Sequence, residues 1–422
     1  MTSILIKNAF LDNGLTDALI AGGKFAKIAP SIDCAADNVI DAKARMALTP
    51  AFYNAHTHAA MTLLRGYADD MELFTWLNDH IWPAEARLAP EDIYHGTRLA
   101  ILEMIHSGTV FFNDMYWHPQ ESIRAAQEMG VRAAIGTLYI TGENGEVLPR
   151  NRMCNEELIS QRDNYGELIQ IALAPHSIYS VSHKILREIA HDSREYGMPV
   201  HIHASETAKE VSDCRIANNG KTPIECLHGL GLLGPRTILA HCVELTDNDI
   251  RLVEATGSVI AHCPCSNMKL CSGMFRFHDA VDIGGCRLAI GTDGCASNNN
   301  LSMLEEMKFA ALSAKIQSGQ PTAAKDSTVF MAGTRSSALA FGIDAGEIAV
   351  GRLADALLVK LDAPTMVGDY NLTANLVYSA NPSVIDTVIC NGEILMQNSI
   401  IPNEMDIINK ARQACRKLRR RI

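Results

Sequence analysis

Between Pro50 and Asn300 the chain carries eight short runs rich in apolar and β-branched residues, at 51–58, 109–116, 131–139, 169–175, 199–203, 237–241, 258–263 and 288–292. Longer amphipathic or loop segments separate them. Alternation of strand and helix in this manner specifies a parallel sheet with crossover helices. Eight such units in about 250 residues is the size of a closed (β/α)8 TIM barrel. The helices carry their own stop signals. Residues 121–129 run into Gly130 and residues 184–196 into Gly197, and glycine readily takes the left-handed conformation that ends a helix.

The flanks have a different texture. Residues 3–49 alternate in strand fashion around Gly22-Gly23, and the same pattern returns at 355–360 and 385–396, where Asn391-Gly392 marks another hairpin turn. The two ends are expected to pair into one discontinuous β-sandwich, residues 1–49 with 346–404, with the barrel of residues 50–345 inserted between its halves. Residues 405–422 read as a C-terminal helix ending in Lys417, Arg419, Arg420 and Arg421. Solvated cations that suit the helix dipole are the expected reading of that end, with a nucleic-acid tail as the alternative.

Composition narrows the partners. A chain of 422 residues with 47% hydrophobic and 20% charged residues is an ordinary globular protein. Its net charge of −11 argues against a general nucleic-acid or anionic-membrane surface, which would need clustered Lys and Arg. A small-molecule partner fits better, and a homo-oligomer is left open. The first 14 residues lack the pattern of a secretory signal, no apolar run reaches about 18 residues, and the 12 cysteines form no paired framework. A cytoplasmic protein with reduced thiols is expected. Cys263, Cys265 and Cys271 beside His262 match no CxxC pair, so buried structural thiols are preferred over a thiolate zinc site.

Chemistry gathers at the ends of the barrel runs. Side chains two apart on a strand share a face, so His56 and His58 point the same way. His203 ends the fifth run, His241 the sixth, and Asp293 follows the eighth, at the strand ends where barrels of this kind place their sites. An HxH pair alone is a weak signal, since core histidines are often merely hydrogen-bonded. Three histidines and a carboxylate with room for water instead form the donor set of a catalytic zinc site, whereas structural sites are closed and thiolate-rich. The ion is expected to activate water. Iron(II) would use the same donors.

These residues lie in segments that resemble the amidohydrolase superfamily, and within it the branch of S-adenosylhomocysteine and 5'-methylthioadenosine deaminases. The resemblance runs through PAFYNAHTHAAMTLLRGYADDMELFTWL, WPAEARL, HSGTVFFNDMY, APHSIYSVS, HIHASET, LAHCVEL, GTDGCASNNNLSMLEEMK and GRLADALLV. It implies one divalent ion per chain held by His56, His58, His203 and Asp293. It also implies that His241 orients water, that Glu206 shuttles protons and that Asp293 accepts the water's proton. Glu85 would bind ribose hydroxyls, and His176 would contact the purine or its sugar. The implied reaction converts adenosine, 5'-methylthioadenosine or S-adenosylhomocysteine to the inosine analogue and ammonia.

Other readings stand beside these. Glu85 can be a solvated helix residue and His176 a satisfied strand-end histidine. Trp76 and Trp82 read as helix-packing residues outside the site. His201 shares the face of His203 and reads as a packed or supporting group. Arg150 and Arg152 both lie in the loop where relatives acting on adenosylhomocysteine place a carboxylate-binding arginine. Ala51, Cys263 and Cys265 depart from the residues usual in the family without removing a catalytic group. The rival functions are an aminohydrolase or chlorohydrolase of guanine-, pterin- or triazine-type rings, and a noncatalytic scaffold barrel.

Overall fold

The computed structural model describes residues 2–12, 14–368 and 370–422. Five strands precede the barrel: β1 (Ile4–Leu11), β2 (Gly14–Ala21), β3 (Lys24–Ala29), β4 (Asn38–Asp41) and β5 (Met46–Pro50). The β2–β3 hairpin turns through Gly22 and Gly23, with φ of 60° and 74°. Positive φ at both central residues matches the twist of the flanking strands and is cheap only for residues such as glycine.

The eight barrel strands follow as β6 (Phe52–Thr57), β7 (Thr109–Asp114), β8 (Arg132–Tyr139), β9 (Ile169–Pro175), β10 (Val200–Ala204), β11 (Thr237–His241), β12 (Val259–His262) and β13 (Arg287–Ile290). They pair in parallel in sequence order. Closure is made by the chain just past β13, where the Thr292 and Asp293 N–H groups donate to the His56 carbonyl at 3.1 and 3.0 Å. The approach is close enough that a Cβ on Gly291 would lie 2.7 Å from the His56 Cβ, so this junction requires glycine. The consequence for the site is direct: the first and last barrel strands bring His56 and Asp293 together.

After the barrel come β14 (Ala356–Lys360), β15 (Ile385–Cys390) and β16 (Glu393–Met396), which join β5, β1, β2 and β3 in one mixed sheet, with β4 beside β1. Period-two patterning gives β14 two buried faces. Ala356 and Leu358 enter the core of the terminal sheet with Ile4, Ile6, Phe25 and Leu48, while Leu357 and Val359 enter the barrel core. A buried polar cluster links sheet and barrel. Arg132, which starts β8, donates Nε–H to Asp355 Oδ2 at 2.8 Å and Nη2–H to Asn391 Oδ1 at 2.7 Å. Asp355 also accepts from the Tyr53 hydroxyl and from the Asn391 N–H.

Removing one partner of a buried ion pair strands the other charge, at a cost of about 3–5 kcal/mol. Asp355→Ala should lose about that much stability in urea unfolding. A loss below about 1 kcal/mol, the value of an exposed pair, would show that Arg132 finds other partners.

Helix ends follow the sequence signals. The helix Pro119–Met129 stops at Gly130 with φ 69°, and His183–Tyr196 stops at Gly197 with φ 67°. The helix Glu404–Leu418 buries Ala411, Ala414 and Leu418 in a cluster with Leu63, Leu64 and Ile93. Its basic end is not wholly solvated as expected. Arg421 donates to Asp92 Oδ2 at 2.6 Å and to the Arg87 carbonyl at 2.9 Å, because the helix packs against the segment that carries those acceptors. Among the described residues no helix is long and apolar enough to cross a membrane.

Candidate metal centre and cavity

The strands deliver their polar residues to one end of the barrel through unusual backbone turns. His241 and Asp293 have φ of 72° and 59°, and Ser205, just before Glu206, has φ of 51°. Non-glycine residues in this region are uncommon and cluster at functional sites. His58 lies one residue past β6, where the chain enters the 3-10 turn Ala59–Leu64. Asp114 holds that turn by accepting the Ala59 N–H at 2.8 Å, and burial raises its carboxyl to a pKa of about 6.

The imidazoles are oriented from behind. His58 Nδ1 lies 2.6 Å from the Met115 carbonyl and His203 Nδ1 lies 2.7 Å from the His176 carbonyl. A carbonyl only accepts, so each Nδ1 carries a proton, and in the neutral imidazole Nε2 then presents a lone pair. Those two Nε2 atoms are 3.2 Å apart, with no proton to share. His56 Nε2 is buried without a hydrogen-bond partner and stands 3.3 Å from Asp293 Oδ1, which is also 3.3 Å from His58 Nε2. Converging lone pairs and a carboxylate of this kind fit a cation. Donor atoms of His56, His58 and His203 lie within 4.8 Å of one another, as do those of His56, His241 and Asp293.

Neighbours that sequence reasoning missed complete the arrangement. Ser266 and Ser297 donate to Asp293 Oδ2 at 2.6 and 2.8 Å, which leaves Oδ1 toward the histidines. Asn267 Oδ1 lies 2.8 Å from His241 Nδ1. Ser266 and Asn267 follow β12, and that strand-end position was the signal available for finding them. His201 takes a definite place, with Nε2 2.7 Å from His56 Nδ1. The cysteines contribute no donor: Cys263 is buried, Cys271 is exposed, the Cys265 N–H donates to Glu306, and all 12 thiols are free.

The charges are set by burial and by one another. Burial opposes ionisation of Asp293, and the Ser266 and Ser297 hydroxyls that donate to Oδ2 favour the carboxylate. Burial raises Glu206, partly countered by His241, whose Nε2 lies 3.9 Å from Glu206 Oε2. Burial lowers His241, yet the Glu206 and Asp293 carboxylates lift it above its ordinary value. Burial lowers His176 to a pKa of about 3, so it stands as a neutral imidazole.

A cavity of about 640 Å³, counting its open mouth, joins Glu85, His176, His203, Glu206, His241 and Asp293. Glu85 is anchored by Trp117, which donates Nε1–H to its Oε2 at 3.0 Å. Trp76 and Trp82 also line this space, contrary to the helix-packing reading. They sit on a short helical segment folded across the barrel mouth, which no spacing rule distinguishes from an outer helix. Arg150 lines an adjoining cavity that shares Trp82, Glu85, Trp117 and His176, and the His118 imidazole partners it. Arg152 is bound instead to Glu146 at 2.9 Å, on the surface.

A parallel barrel with a His/Asp cluster at the strand ends whose donors fit a cation defines the class. The chain belongs to the amidohydrolase family, whose family model matches residues 47–395. It is 42% identical over 422 residues to the 5-methylthioadenosine/S-adenosylhomocysteine deaminase 1 of Archaeoglobus fulgidus, covering 98% of this chain and 99% of the relative. It is 43% identical over 380 residues to a 5'-deoxyadenosine deaminase of Methanospirillum hungatei, covering 90% and 84% of the two chains. Its fold superposes with TM-score 0.92 and 31% identity on an adenosine deaminase from Xanthomonas campestris crystallised with zinc, covering 99% and 98%. The protein is therefore an enzyme, a hydrolase acting on C–N bonds.

Proposed function

We propose that this enzyme hydrolytically deaminates an adenosine-type nucleoside to its inosine analogue and ammonia. Adenosine, 5'-methylthioadenosine, S-adenosylhomocysteine and 5'-deoxyadenosine are the substrate set. The observation that carries the reading is the placement of two carboxylates in one cavity: Glu206 beside His241 at the centre, and Glu85 held by Trp117 toward the mouth. A purine ring between them would meet the reacting groups at one end and present its ribose hydroxyls to Glu85 at the other.

His56, His58, His203 and Asp293 would hold one divalent ion, which when bound supplies an activated water. Zinc is the favoured ion, supported by the zinc-bound Xanthomonas relative, and iron(II) suits the same donors. Asp293 accepts the water's proton, with its second oxygen occupied by Ser266 and Ser297. His241, fixed by Asn267, orients the water. Glu206, raised by burial, carries the proton that the ring nitrogen needs as the adjacent carbon is attacked. The proton on Asp293 then passes to the departing amino group, the C–N bond breaks, and the remaining hydroxyl proton returns to Glu206 as the carbonyl forms. Neutral His176 offers a hydrogen bond to the purine or its sugar. Arg150, rather than Arg152, faces the space beyond Glu85 and would take the carboxylate of a 5' amino-acid substituent.

The test follows the ultraviolet change on deamination for the four nucleosides and for free adenine and guanine, with metal measured on the same sample. Turnover of nucleosides and not of bases is expected. Glu85→Gln should raise KM for nucleosides about 10-fold, the worth of one charge-assisted hydrogen bond. Metal-loaded protein that turns over none of the nucleosides would refute the substrate class.

A further inference from the structure

Among the described residues, three helices begin with threonine at the N-cap and an acid three residues later, and one of them is built differently. At Pro223–Gly229 the cap Thr222 accepts from the Glu225 N–H, and Glu225 accepts the Thr222 N–H at 2.9 Å. At Asp247–Thr256 the same exchange joins Thr246 and Asp249, whose carboxylate accepts the Thr246 N–H at 2.8 Å. This reciprocal pairing is the capping box. At Ala208–Ala217 the first half is kept, since Thr207 accepts from the Glu210 N–H at 3.1 Å. The second half is displaced. Glu210 passes over the cap and accepts two earlier N–H groups, that of Glu206 at 2.7 Å and that of Ser205 at 3.1 Å.

The displaced carboxylate holds the N–H side of a turn whose carbonyl side is held from beyond β11, where Cys242 and Glu244 N–H donate to the Ala204 and Ser205 carbonyls at 3.1 and 2.9 Å. Ser205 sits in the left-handed region at φ 51°, and this turn swings Glu206 out of line with β10 and back over the barrel mouth toward His241. Glu210 is itself 4% exposed, so its two hydrogen bonds are made away from water, where each fixes geometry firmly. The two N–H groups meet different oxygens, Ser205 at Oε1 and Glu206 at Oε2, so a glutamine amide in the same place would turn its NH2 donor toward one of them.

We infer that Glu210 is a positioning residue for Glu206, clamping the Ser205–Glu206 turn so that the Glu206 carboxyl stands at the reacting end of the cavity. This rests on the role proposed above for Glu206. A helix cap would affect stability alone, whereas a clamp on the proton donor also affects the chemical step.

The experiment compares Glu210→Gln, Glu225→Gln, Glu206→Gln and the double variant Glu206→Gln/Glu210→Gln as metal-loaded proteins. Glu210→Gln should lower kcat about 10- to 100-fold with KM within about 3-fold and with metal content unchanged. Glu225→Gln, the same change in an ordinary box, should leave kcat unaltered. The double variant should be no slower than Glu206→Gln, since the clamp then has no donor to place. Should Glu210→Gln not fold, Glu210→Asp, too short to reach both N–H groups, takes its place with the same expected kcat loss. Unchanged kcat in the Glu210 variant, or an equal loss in Glu225→Gln, overturns the inference. Full activity in Glu206→Gln would instead overturn the proposed role of Glu206.

Discussion

The Glu206→Gln enzyme should bind substrate and metal as the parent does and deaminate about 10³-fold more slowly, within the range that a positioned acid or base contributes. Glutamine keeps the shape of the side chain and its place beside His241, but it holds no transferable proton. Stability should not suffer. Burial raises the Glu206 carboxyl, so the folded state favours the protonated form, and any cost of ionising it appears as pH rises through the folded pKa. A neutral amide escapes that cost, and the thermal midpoint of the variant at pH 8 should equal or exceed the parent's. Stopped-time assays with elemental analysis of the same protein decide the matter. Activity within 10-fold of the parent would remove Glu206 as the proton donor.

Stripping the metal should abolish activity and weaken the fold. The Nε2 lone pairs of His58 and His203 face each other at 3.2 Å, and Asp293 Oδ1 stands 3.3 Å from both His56 and His58. A cation satisfies all of them together, and its removal leaves them buried and opposed. For a ligand present at about 1,000 times its dissociation constant, linkage contributes about 4 kcal/mol of stability. The chelated protein should therefore melt several degrees lower, with activity below about 0.1% of the holoenzyme given how much such an ion contributes to water activation. About one equivalent of zinc per chain should restore both, as expected of a single catalytic site. His58→Ala should fail to recover with stoichiometric zinc, because the ring that opposes His203 is gone. Full turnover by chelated protein would show that the His/Asp cluster is not a metal centre of the reaction.

Much of the barrel was legible because hydrophobic periodicity is set by burial. The runs at 169–175 and 237–241 coincide with β9 and β11. Differences fall where the backbone changes partner, which no pattern of side chains records. The last run was expected to extend through residue 292, but β13 ends at Ile290: Gly291 N–H still donates to the His262 carbonyl, and the Thr292 and Asp293 N–H groups then turn to the His56 carbonyl and close the barrel. The second run was expected to reach residue 116, but β7 ends at Asp114, and the Met115 carbonyl then serves as acceptor for His58. Trp82 could not be placed from sequence because its segment is helical wherever it docks. Arg150 and Arg152 share a segment in sequence, and only the fold sends one toward the cavity and the other to Glu146.

The sequence by itself determined the order of strands and the residue types at their ends, since both follow from local spacing: a two-residue interval in HTH, and apolar runs that stop at His203, His241 and GTDG. Tertiary structure decided how those groups are held. The carbonyls behind His58 and His203, Ser266 on Asp293 and the tryptophan on Glu85 come from distant parts of the chain. Glu210 itself lies only four residues from Glu206, yet its hydrogen bonds depend on a left-handed residue between strand and helix. Such turns have no period, and their geometry exists only once the barrel has closed around them.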